Sequence, residues 1–181
     1  MNKLIIILIM IFTLFNPANS YQNNSVYDFN FKSLDGGLIQ MKEYKNNVIL
    51  VVNVASRCGY TPQYEDLQFI WDKYKNNNLI VIGIPTNNFK QEPASNKEIK
   101  DFCETNFGIN FPMTEKMDVI GSNAHPFYQW ARKDYGLGAI PKWNFHKIII
   151  GKDGKIVDTF ASFTKPTSKK FIKIIEKEIK K

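Results

Sequence analysis

Cysteine and histidine are scarce in this 181-residue chain, with two of each. Cys58 and Cys103 stand 103 − 58 = 45 positions apart. His125 and His146 are too scattered relative to them for a tetrahedral zinc site, so no metal is expected. Cys58 also lacks a near neighbour of its own kind, since the segment reads Cys58-Gly59-Tyr60-Thr61 and not C-x-x-C. That excludes exchange between two adjacent thiols at this position. There is no internal repeat at a fixed period and no composition typical of disorder, collagen or a long coiled coil. Gly136-Leu137-Gly138 follows no strand in the way a dinucleotide fingerprint requires. Nothing supports a serine triad or a phosphate loop, and no bound cofactor is expected.

What is present is enough apolar material for one compact domain, 44% hydrophobic and 14% aromatic. A net charge of +7 raises the question of nucleic acid. Much of the excess lies at the C-terminus, in Lys165, Lys169, Lys170, Lys173, Lys177, Lys180 and Lys181. Phe171, Ile174, Ile175 and Ile179 recur there at helical spacing, so the reading is an amphipathic helix with a solvated lysine face. No nucleic-acid partner is expected.

Residues 1–20 read as a signal peptide. Lys3 is followed by an apolar run from Leu4 to Phe15 and by Ala18-Asn19-Ser20, a small-x-small cleavage site. The run is short for a membrane span, so an uncleaved anchor is the lesser alternative. The expectation is an exported protein, periplasmic or secreted, whose folded domain is 21–181 and keeps no stable membrane span after cleavage.

Strand and helix patterns then follow one another. Residues 26–40 suggest a hairpin turning at Asp35-Gly36-Gly37. The runs 47–55 and 78–85 are continuously apolar, as buried parallel strands are. Between them, Leu67, Ile70, Trp71 and Tyr74 mark one helix face. Ser95 and Glu98 form a capping box for a helix carrying Ile99, Phe102 and Cys103, and a third helix is expected over 124–133. Gly151-Lys152-Asp153-Gly154 signals a second hairpin. This order implies an α/β fold with a mixed central sheet flanked by helices. Ligands in such folds gather beyond the carboxyl ends of the parallel strands, so the loops at Cys58 and at 85–91 should meet.

A thiol at the amino end of a helix lies at the positive end of the macrodipole, among unpaired N–H groups that favour its thiolate. Arg57 adds to that field. A lone activated thiolate suits attack on an electrophile such as a peroxide oxygen.

At this point the sequence resembles the glutathione peroxidase family over essentially all of residues 21–181. "NVASRCGYT" (53–61) resembles the family's active-site segment, "KWNF" (142–145) a second signature and "PTNNFKQEP" (85–93) a third. "AHPFYQW" and "FPMTEKMDVIG" fit the same pattern. The resemblance implies a thioredoxin-like fold and a catalytic tetrad of Cys58, Gln91, Trp143 and Asn144. Thiol-dependent reduction of hydrogen peroxide and of organic or lipid hydroperoxides would proceed through a Cys58 sulfenic acid. Cys103, in "FCETNFGINFP", matches the resolving cysteine of the thioredoxin-dependent branch. Its helix would have to open for the two sulfurs to meet, and Thr105, Asn106 and Gly108 favour that. The third signature departs from the family: Thr86 stands where cysteine is common, Asn88 replaces glutamine, and one residue, normally glycine, is missing before Lys90. Near the second hairpin, Thr159 stands where the family often has arginine. The implied reductant is a thioredoxin-like protein or glutathione, with the former favoured by the two cysteines, and the implied state is a monomer. Two rivals stand beside this reading. One is an exported redox sensor or oxidase that passes a disulfide to a partner. The other is a non-catalytic domain with a structural Cys58–Cys103 bridge.

Overall fold

The computed structural model describes residues 25–181. The expected signal peptide lies outside them. A hairpin of β1 (Asn30–Lys32) and β2 (Leu38–Gln40) comes first. Its turn closes through Ser33 N–H to the Gly37 carbonyl at 3.1 Å, with Gly36 and Gly37 at φ 87 and 74. The expected hairpin is therefore real but shorter, because Val26–Asp28 forms a capped 3-10 turn ahead of it.

The main sheet holds β3 (Val48–Val54), β4 (Leu79–Pro85), β5 (Lys147–Ile150) and β6 (Ile156–Phe160) in the order β4-β3-β5-β6. β3 and β4 run parallel, while β5 is antiparallel to β3 and β6 to β5. α1 (Gln63–Tyr74) makes the crossover between β3 and β4. α2 (Asn96–Phe107), α3 (Pro126–Tyr135) and α4 (Lys169–Ile179) complete the fold. This is a thioredoxin-like arrangement, a mixed sheet with helices on both faces.

Alternation explains why β3 reads as one apolar run. Val48, Leu50, Val52 and Val54 face a core shared with Leu67 and Ile70 of α1, Ile99 of α2 and Phe171 of α4. Ile49 and Val51 face the other core, with Phe127 and Trp130 of α3 and Phe31 of the hairpin. Each fully buried aliphatic side chain contributes about 1.5–3 kcal/mol, more than a helix cap at about 1 kcal/mol. Packing therefore holds α1, which has no capping side chain.

α2 begins at the predicted capping box, with Glu98 N–H donating to Ser95 Oγ and Ser95 N–H to Glu98 Oε2. Gly108, at φ 60, ends it in the left-handed region that suits glycine. α3 starts two residues later than expected, because His125 caps it through Nδ1 and Pro126 takes the first helical position. Gly83 in β4 has no side chain for a packing reason: a Cβ there would run into the Met113 side chain. The segment after α2 docks against that bare backbone, with Thr114 N–H on the Gly83 carbonyl. The lysine face of α4 is exposed, while Phe171, Ile175 and Glu178 are buried.

Lys147 interrupts the apolar pattern of β5 and is 0% exposed. Its Nζ donates to Gln63 Oε1 and to the Ser162 and Thr164 carbonyls. One buried cation thus ties the segment before α4 to the first residue of α1. Burial pushes its pKa down to about 7 from an ordinary 10.5. Between those values the folded chain has released a proton that the unfolded chain keeps, so stability rises with pH across that window. Relative to Lys147→Met, the wild type is expected to gain about 1.4 kcal/mol per pH unit between about pH 8 and 10. Urea denaturation across that range checks it, and parallel pH profiles for the two proteins would refute it.

Candidate active site

Cys58 lies beyond the carboxyl end of β3, in tight turns that separate it by four residues from the start of α1, at whose amino end it was expected. Turn carbonyls take the leading amides: Gln63 N–H donates to Tyr60, Tyr64 N–H to Thr61 and Glu65 N–H to Pro62. The amide that points at the thiol is that of Tyr60, at 3.4 Å from Cys58 Sγ. Thr61 holds this turn together. Its Oγ1 accepts from Cys58 N–H at 3.0 Å and donates to the Ala55 carbonyl at 2.9 Å. The residue in place of a second cysteine is thus a brace for the first. Arg57 is exposed and touches the site through its backbone, its N–H donating to the Gln91 carbonyl at 3.0 Å.

The two loops expected to meet do so. Thr86 N–H donates to the Val54 carbonyl, and the buried Glu92 carboxylate accepts from both Ser56 N–H and Ser56 Oγ at 2.7 Å. Burial raises the pKa of Glu92 against the lowering effect of those Ser56 bonds. The shortened loop keeps its shape because Lys90 adopts φ 58 and closes a turn onto the Asn87 carbonyl. Lys90 therefore supplies the left-handed backbone that a glycine would otherwise provide.

The third contribution comes from 142–145. Asn144 is buried, and its Nδ2 donates to Gln91 Oε1 at 2.9 Å. Trp143 packs its ring 5.4 Å from that of Phe89, on the same loop as Gln91. The structure therefore brings Gln91, Trp143 and Asn144 together and joins them to the Cys58 turn through Arg57. Cys58 is 6% exposed and Trp143 is 42% exposed, so the thiol is buried and the indole is open to solvent. A cavity of about 320 Å³ beside Trp143 is lined by Leu137, Ile140, His146 and Thr159.

Asn53, not singled out in the sequence, anchors this segment. Its Nδ2 donates to the Trp143 carbonyl at 3.1 Å, its carbonyl accepts from Phe145 N–H at 2.6 Å, and its N–H donates to the His146 carbonyl. The signal was a polar residue inside a buried apolar strand. Phe145 has φ 61, an unfavourable value for a bulky side chain. Such strain costs on the order of 1–3 kcal/mol and persists where surrounding contacts over-determine it. Here the Asn53 bond and the edge-on packing against Tyr64 at 5.4 Å do so.

Cys103 lies on α2, 2% exposed, in the same core cluster as Cys58. Both are free thiols. Burial pushes the Cys103 pKa up to about 11, so in place it stays protonated. His125 has a structural role: besides capping α3 it stacks on Phe31 at 4.5 Å.

The family model for glutathione peroxidase matches residues 26–132. A glutathione peroxidase of Lactococcus lactis subsp. cremoris is 40% identical over 158 residues, covering 86% of this chain and 97% of that protein. The chain belongs to the glutathione peroxidase family. The hydroperoxy fatty acid reductase gpx1 of Synechocystis is 40% identical over 153 residues, covering 80% of this peroxidase and 90% of its relative. The crystal structure of Trgpx in apo form superposes with a TM-score of 0.68 at 34% identity, covering 87% of this peroxidase and 97% of that chain.

Asn53→Ala should leave the peroxidase folded, lower its stability by about 1–2 kcal/mol through one lost hydrogen bond, and slow its reaction with peroxide at least tenfold. A small displacement of positioned groups is enough for that loss. Stopped-flow peroxide consumption and circular dichroism read the two effects. An unchanged rate would show that the segment 142–145 is positioned without Asn53.

Proposed function

We propose that Cys58 is the peroxidatic nucleophile of this thiol-dependent peroxidase, with Gln91, Trp143 and Asn144 as the groups that stabilise charge around it. The observation that carries the reading is the Asn144–Gln91 hydrogen bond beside the Cys58 turn. It uses the oxygen of Gln91 and leaves Nε2 as the donor end. Trp143 Nε1–H donates to none of the described residues. Donors held where negative charge develops lower the barrier to bond cleavage.

The Cys58 thiolate attacks one peroxide oxygen, the O–O bond breaks, and the departing oxygen takes a proton to leave as water or alcohol. Cys58 is left as a sulfenic acid. Cys103 then displaces that oxygen as water and closes a disulfide. Two thiols of the reductant restore both cysteines. A second cysteine in the chain favours a thioredoxin-like donor over glutathione. The substrates are hydrogen peroxide and organic or lipid hydroperoxides, and the apolar cavity beside Trp143 has room for the organic portion of the latter. Export through residues 1–20, and a monomeric state, complete the proposal. Among the described residues, no helix is long and apolar enough to cross a membrane.

Resolution requires the two α-carbons to approach within roughly 7 Å, and since Cys103 is buried on α2 the proposal includes opening of that helix at its end. Thr105, Asn106 and Gly108 are exposed there, and the amides of Gly108 and Ile109 close the helix onto the Glu104 and Cys103 carbonyls.

Stopped-flow assays on reduced protein test the scheme. Wild type should consume peroxide at least a hundredfold faster than free cysteine, and Cys58→Ser should lose that reaction. Cys103→Ser should keep the first turnover and lose steady-state turnover with a thioredoxin system. Wild type no faster than free cysteine would sink the peroxidase role of Cys58. A Cys103→Ser protein that turns over normally but melts earlier would make Cys103 structural.

A further inference from the structure

We propose that Tyr64 is a positioning residue for the resolving step: its under-partnered buried hydroxyl biases the end of α2 toward opening and so presents Cys103 to oxidised Cys58. This rests on the reading of Cys103 as the resolving cysteine.

Tyr64, the second residue of α1, is 0% exposed. Its ring packs against the end of α2 and against the segment that carries Asn144. It packs 5.2 Å from Phe107, the last residue of α2, and 5.4 Å from Phe145, next to Asn144. Its hydroxyl faces the Cys103 thiol but makes no properly formed hydrogen bond to it or to any other described residue. Sulfur is a weak acceptor and S–H a weak donor, so the thiol compensates poorly for the water the hydroxyl lost on burial. A buried polar group left in this state costs free energy, and it is paid only while α2 is closed. Opening the helix end lets water reach the oxygen.

The surroundings allow that opening. Phe102 and Phe107 are only half-buried. On another side, Cys103 and Glu104 line a cavity of about 630 Å³ with Ile109, Phe111 and Met113, which gives the unwound turn space to move. In the closed state Cys103 is held as an inert protonated thiol, which protects it from stray oxidation. Once exposed, its sulfur attacks the Cys58 sulfur. An S–S bond forms, the S–O bond breaks, and the thiol proton leaves with hydroxide as water. Peroxide has already supplied the oxidising equivalents.

Tyr64→Phe keeps the ring and removes the oxygen, which stabilises the closed helix. With one equivalent of hydrogen peroxide, sulfenic acid formation at Cys58 should keep its wild-type rate. Disulfide formation should slow by about five- to tenfold, the effect of removing one under-satisfied hydroxyl. Excess peroxide should then drive a larger share of Cys58 to sulfinic acid. Amide exchange over 99–108 should be slower in the variant and its melting temperature equal or higher. A merely structural tyrosine would shift melting without redistributing Cys58 between disulfide and sulfinic acid. Disulfide formation in Tyr64→Phe as fast as in wild type, or faster, overturns the role of Tyr64 alone. Failure of wild type to form the Cys58–Cys103 bond removes the resolving reading and this inference with it.

Discussion

One residue of the central strand, Asn53, holds the site's third loop through its backbone and its side-chain amide. β3 is buried along its whole length, and Asn53 is its one polar side chain. The Nδ2 of that amide donates to the Trp143 carbonyl, and the backbone of Asn53 pairs with Phe145 and His146 of the same segment. That segment is held with Phe145 in a left-handed backbone, which no isolated chain would prefer. From there Asn144 reaches Gln91, Gln91 reaches the backbone at Arg57, and the Cys58 turn follows. Four side chains from three loops therefore share one reference point at the end of the sheet.

The opposite demand falls on Cys103. Packing α2 against the core hides its thiol and raises its pKa, which makes it safe and unreactive. The helix that hides it ends only one turn later, at a glycine cap with exposed polar residues. Local stability is lowest where few apolar contacts hold the backbone. In the proposed resolving step, the part that opens lies at a helix terminus and the sheet is left in place. Tyr64 lies between the two regions, its ring packed on Phe145 on one side and on Phe107 at the end of α2 on the other.

Much of this was legible in the sequence. Continuous apolar runs marked the parallel strands, the Ser95–Glu98 pair marked the start of α2, and three separated signatures marked the loops that converge. Other features were hidden for physical reasons. The position of Cys58 relative to α1 depends on turn hydrogen bonds, with Thr61 as brace, which periodicity does not encode. Lys90 looked like the neighbour of a missing glycine, yet its backbone does the glycine's work. Lys147 stands in a strand pattern without any signal of burial, and only the three-dimensional fold gathers three oxygens around its side-chain nitrogen. Asn53 carried a signal as the one polar residue in an apolar strand, whereas Tyr64 is an ordinary residue in a helical pattern whose importance comes from what lies across the core.

The most direct test of the account counts thiols. Reduced protein is mixed anaerobically with one molar equivalent of hydrogen peroxide, and free thiols are titrated while cross-linked peptides are mapped by mass spectrometry. If Cys58 reacts and Cys103 resolves, both thiols disappear together for each peroxide consumed and a Cys58–Cys103 peptide forms. Loss of neither thiol, or of Cys103 while Cys58 stays reduced, would contradict it.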